Sequence, residues 1–102
     1  MPAPPVTLAA LPADSSDADR KLWPAIELLV RSRVLGGDVV RPLPLARRFL
    51  RQWAGMSERA VREAMERFEN SGYIWRAKTW SAPGKWDTTL WHVLLDGEEP
   101  VA

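Results

Sequence analysis

Residues 43–74, LPLARRFLRQWAGMSERAVREAMERFENSGYI, read as two short amphipathic helices joined by a glycine turn and followed by the start of a strand. The second helix carries the clearer signal. Ser57 can accept a hydrogen bond from an orphan backbone N–H of the first turn, and Glu58 puts a negative charge at the positive end of the helix dipole. Val61, Ala64, Met65 and Phe68 recur at i, i+3, i+4 and i+7, one face of a 3.6-residue period. Gly72 then offers a left-handed stop. In the first helix Pro44 is expected at the first position, where its missing N–H costs nothing. Leu45, Phe49, Leu50 and Trp53 would turn inward, and Gly55 would make the turn. Helices this short are marginal alone, so the two must pack on each other as a helix-turn-helix.

Gly55, Met56, Ser57, then Val61-Arg62-Glu63-Ala64, then Phe68, Gly72 and Ile74 form a pattern that resembles the recognition-helix region of bacterial winged-helix regulators. The likeness is to the GntR type above all and more loosely to the MarR type. With the hairpin that follows, it covers about half of the chain. GntR proteins carry a large effector domain after the hairpin and MarR proteins long dimerisation helices. This sequence carries neither, so the resemblance implies DNA binding and not ligand sensing.

Working outward from that unit, a helix is expected from about Asp19 or Lys21 to Leu35, with Leu22, Trp23, Ile26, Leu29 and Val30 as its buried stripe. Pro24 is tolerated only in a first turn, so the helix should start near Leu22 or kink there. Gly36 and Gly37 should end it. Residues 38–41 leave room for one short strand, which in winged helices adds an edge member to the hairpin. Downstream, Tyr73 to Trp80 and Thr88 to Leu95 are rich in aromatic and branched residues and flank Pro83-Gly84, suited to a type II turn. Their register is open: a one-residue slip exchanges Trp91 and Val93 for Leu90 and His92 on the buried face. Residues 1–17 read as a flexible Pro- and Ala-rich arm, 18–95 as the domain, and 96–102 as an acidic tail. The expected fold class is mainly α with a small β-hairpin, a winged helix-turn-helix of three helices and a two- or three-stranded antiparallel wing.

The 102 residues make one domain, of which about 80 ordered residues would bury about 60–65% of their unfolded surface. So small a core leaves no room for an internal cofactor, and none is expected. With no cysteine, disulfides and thiolate metal sites are excluded. No apolar run approaches the ~20 residues that span a bilayer, and the Pro-rich start lacks the form of a signal peptide. Membrane association is therefore not expected. The location implied is cytoplasmic, at the nucleoid. Arginine outnumbers lysine 11 to 3. The net charge of +1 hides a division: residues 1–40 carry −1, residues 41–85 carry +6 and residues 86–102 carry −4. A concentrated positive block is the electrostatic footprint of a phosphate-binding surface.

Opposite the apolar stripe of the second helix stand Arg59, Arg62, Glu63 and Glu66. The resemblance implies that the N-terminal half of this face enters the major groove. There an arginine fork can bond guanine O6 and N7 together, discriminating by about 1–3 kcal/mol. Arg59, then Arg62, are expected at base edges, with Ser57 and Glu63 beside them. A carboxylate is repelled by phosphate but can accept from a cytosine amine. The competing interpretation is a solvated helix laced by Arg59–Glu63, Arg62–Glu66 and Glu63–Arg67 pairs, each worth about 0.2–0.5 kcal/mol. Arg47, Arg48 and Arg51 on the first helix, and Arg76, Lys78 and Lys85 on the hairpin, are expected at phosphates, or else on solvated faces. Of six tryptophans, Trp53, Trp75 and Trp91 are expected to pack, while Trp80 and Trp86 beside the turn are candidates for a protein contact. The hairpin aromatics could alternatively stack on single-stranded nucleic acid. His92 stands alone, without the spacing of a metal site, and no catalytic constellation can be assembled. The sequence thus predicts a non-enzymatic, sequence-specific binder of double-stranded DNA, acting as a homodimer in transcriptional control, of phage, mobile-element or bacterial origin. The alternatives are a winged-helix protein-interaction module, or an accessory DNA-binding protein of replication or excision.

Overall fold

A computed structural model of the chain describes residues 7–35, 38–39, 41–80 and 88–100. The order of elements is helix α1 (Asp17–Arg31), strands β1 (Val34–Leu35), β2 (Asp38–Val39) and β3 (Leu43–Pro44), helices α2 (Arg47–Ala54) and α3 (Glu58–Asn70), then strands β4 (Ile74–Trp80) and β5 (Thr88–Val93). Three helices pack on a three-stranded antiparallel sheet of order β3-β5-β4, with β1 and β2 pairing separately. The arrangement is winged-helix-like, mainly helical with a small hairpin wing.

The α3 expectations hold in detail. Ser57 caps the helix, its hydroxyl accepting from Ala60 N at 3.1 Å. Val61, Ala64, Met65 and Phe68 are all buried. Gly72, at φ 82°, supplies the left-handed stop, and the N–H groups of Gly72 and Tyr73 bond back to Glu69 and Phe68 carbonyls. Gly55, at φ 65°, makes the turn between α2 and α3. The wing register is fixed by Ile74↔Val93, Trp75↔His92 and Arg76↔Trp91. Trp91 and Val93 face the core and His92 lies on the other side. A shift between Arg76 and Lys78 marks a bulge before the outer half of the hairpin.

Several expectations are corrected. α2 begins at Arg47, not at Pro44, because Leu43–Pro44 is already spent as the edge strand against β5. Proline suits an edge, where no N–H need be donated. This strand, rather than residues 38–41, is the third member of the wing sheet. Leu45 therefore precedes the helix and is buried from an extended segment. The buried position of α2 is Leu50, and the two aromatic rings expected inside lie at its flank, Phe49 50% and Trp53 45% exposed.

α1 runs unbroken through Pro24 and ends at Arg31, with Ser32 as its cap, before Gly36 and Gly37, which lie outside the described residues. An interior proline costs about 3 kcal/mol. Leu22, Trp23, Ile26, Leu29 and Val30 are all buried on one stripe spanning it, at about 1.5–3 kcal/mol each. Burial outweighs the proline. Within the expected arm, residues 7–11 are seated on the domain. Leu8 is buried and bridges Leu95, while Ala9 N bonds Leu94 O and Asp96 N bonds Thr7 O. Trp23 Nε1 donates to Ala9 O at 2.7 Å while its ring packs on Phe68 and Tyr73. The start of the expected acidic tail is held too, Glu98 accepting from Arg41 and from Leu95 N.

Candidate nucleic-acid interface

Because the stripe of α3 is committed to the core, its opposite face is presented outward, and Arg59, Arg62, Glu63 and Glu66 are all exposed. Arg59 Nε donates to Glu63 Oε1 at 3.0 Å, one of the three anticipated i,i+4 pairs, while its side chain remains 80% exposed. Such a pair in solvent is worth only a few tenths of a kcal/mol, so it orients Arg59 without locking it. Ser57 lies at the same end of α3, its oxygen engaged in the cap.

Three cations from three elements meet beside that face. Arg47 at the start of α2, Arg62 on α3 and Arg76 on β4 line one depression over Met65 and Trp91. Arg47, Arg76, Met65 and Trp91 also line an adjoining hollow of about 360 Å³ that runs toward Pro44 and Thr89. The two together form a groove between α3 and the wing sheet. Arg76 is positioned in it from both sides: its guanidinium lies 5.2 Å from the Trp91 ring centroid, and its Nε donates to Glu69 Oε2 at 3.0 Å. α2 enters the groove with Ala46 at its cap, no side-chain acceptor there and no acidic residue in its first turn. No side chain of its own first turn therefore neutralises the positive end of the α2 dipole. Glu66 and Glu69 also line the depression, so its three guanidinium groups are opposed by two carboxylates.

No family model, curated protein or solved structure matches this chain. The candidate interface therefore rests on the chain's own residues alone. Arg48 and Arg51 are exposed as expected but stand apart from the groove, lining a shallow depression with Gln52 and Met56. Lys78 belongs to β4. Its side chain and that of Trp80, together with Lys85, Trp86 and the Pro83-Gly84 turn, lie outside the described residues. Trp91 packs in the core as expected, and half-buried Trp75 stacks on His92 across the strands, centroids 5.4 Å apart at 12°. Among the described residues no three His, Asp or Glu side chains group as metal ligands, and no helix is long and apolar enough to cross a membrane.

Arg67 does not pair with Glu63. Its Nε and Nη2 both reach Asp19 Oδ1, at 2.9 and 2.7 Å, and so tie α3 to α1. Hydrogen bonding to Asp19 raises the Arg67 pKa above its ordinary value. A signal for this existed in the sequence. Asp19 stands at i relative to Leu22, Trp23 and Ile26 at i+3, i+4 and i+7, a carboxylate on an apolar stripe that needs a partner inside. The convergence of Arg47, Arg62 and Arg76 had no comparable signal, because each lies on a different element.

Proposed function

We propose that the chain is a winged-helix protein that binds double-stranded DNA in a sequence-specific manner. α3 enters the major groove, where Arg62 and Arg59 meet base edges. Arg47, Arg76 and the wing cations Lys78 and Lys85 hold the phosphate backbone or the minor groove. The protein acts by binding rather than catalysis, as a homodimer on a two-fold site, in transcriptional control at a bacterial nucleoid, whether encoded by a phage, a mobile element or the chromosome. The observation that carries this proposal is the convergence of Arg47, Arg62 and Arg76 beside the exposed face of a helix whose other face is wholly committed to the core.

The test is selection of bound duplexes from a random library, followed by titration of the enriched site. Arg62→Ala should weaken that site by about 1–3 kcal/mol and relax one position of it, with circular dichroism unchanged. Full affinity in this variant and in Arg59→Ala would remove α3 from the groove. A second proposal, a protein-interaction module without DNA binding, draws on Glu63 occupying Arg59 and on Glu66 and Glu69 within the arginine groove. It predicts no gel retardation of genomic fragments even at low salt, where the first proposal predicts retardation throughout.

A further inference from the structure

Phe49 and Trp53 leave an apolar patch that neither the core nor the arginine groove uses. The rings meet at i,i+4 on α2, centroids 5.5 Å apart and tilted by 53°, and both are about half exposed. Helical periodicity places them about 200° and 240° round α2 from Arg47, which marks the groove side. Between the two sides, Arg51, Arg48 and Gln52 follow at about 40°, 100° and 140°. The outer arc of α2 thus passes from guanidinium groups to aromatic rings without an acidic residue anywhere in RRFLRQWA. Arg48, Arg51, Gln52 and Met56 line the shallow depression, of about 310 Å³, along it.

We propose that this flank of α2 docks an acidic peptide segment of another protein. An aromatic or branched aliphatic anchor of the segment lies against Phe49 and Trp53, and its carboxylates pair with the forks of Arg48 and Arg51. Charge selects this occupant. A second copy of the chain packing through the same flank would bring Arg48 and Arg51 of both copies together. Single-stranded nucleic acid stacks successive bases on parallel ring faces, whereas these two rings stand tilted by 53° to each other. The anchor on Phe49 and Trp53 would lie across α2 from Arg47, with Arg48 and Arg51 between the two sides, so the ring contact is separable from the groove whether or not the groove takes DNA.

A random peptide library selected on the whole protein tests this. Enriched peptides should combine Asp or Glu with a Leu, Ile or Trp anchor. The best of them, synthesised with a fluorescent label, should lose about tenfold or more in affinity to the Phe49→Ala/Trp53→Ala variant. It should lose as much to Arg48→Glu/Arg51→Glu, and recover there when its acids are replaced by lysine. Trp53→Phe, which keeps a ring, should retain most of the affinity, guarding against a misfolded variant, and Arg62→Ala should leave it unchanged. Enriched peptides without acidic bias, or bound equally by the double alanine variant, overturn the proposal. So does a concentration-dependent dimer abolished by Trp53→Ala, or quenching of Trp53 by oligothymidine.

Discussion

Arg67 and Asp19 form the ion pair of most consequence for folding, because the carboxylate is buried and accepts from two nitrogens of one guanidinium. Arg67→Ala leaves that carboxylate without its charged donors, at a cost of about 1–3 kcal/mol in chemical denaturation. The half-exposed guanidinium keeps the figure below that of a wholly buried pair. Lysine should restore only part of it, lacking the fork. Since the pKa of Arg67 is raised on folding, its contribution is complete below the ordinary arginine value and lost only as pH climbs through the raised one. Stability from this arginine should thus not vary across the neutral range. The Arg59–Glu63 pair is the opposite case, solvated and weak. Glu63→Gln should move the melting midpoint little, yet release Arg59 and tighten binding to random duplex, read by gel shift at low salt.

α3 was legible because its cap, apolar stripe and glycine stop agree on one answer, and each was found where the pattern put it. α2 was misjudged at its start. Leu45, Phe49, Leu50 and Trp53 make a helical stripe only if Leu45 is helical, and once Pro44 belongs to β3 the stripe contracts to Leu50 and both rings fall to the flank. The exposed cations of the candidate interface could be picked from sequence; their meeting across α2, α3 and β4 could not. Residues 7–11 were opaque for another reason: Leu8 and Leu11 are too short a run to establish a periodicity, and the bridge partner of Leu8, Leu95, lies at the other end of the chain. Leu8→Ala should cost about 2–3 kcal/mol in urea unfolding, as for a core leucine, where a loose arm would show no change. In α1, Pro24→Ala should stabilise by about 1–2 kcal/mol, the restored helical bond exceeding the unfolded-chain entropy gained.

At the scale of the whole molecule, charge is sorted along the chain, +6 in residues 41–85 against −1 before and −4 after. Folding keeps part of the acidic end away from the α3 groove, since Glu98 is held by Arg41 and Leu95 N instead of by the arginines at the groove. If that surface takes phosphates as proposed, the salt dependence of binding measures how many it meets. Four phosphates at Arg47, Arg76, Lys78 and Lys85 would give log K against log salt a slope of about −3.6 per chain, and a two-fold dimer would double it. Arg47→Ala should shallow the slope by about one per chain while weakening all sequences alike, whereas Arg62→Ala should change the preferred sequence more than the slope. Phe49→Ala/Trp53→Ala should alter neither, because that flank lies across α2 from the groove. A slope near zero with retained affinity would mean that binding runs through apolar contact and not through the arginine groove, and the assignment of α3 to DNA would fall with it.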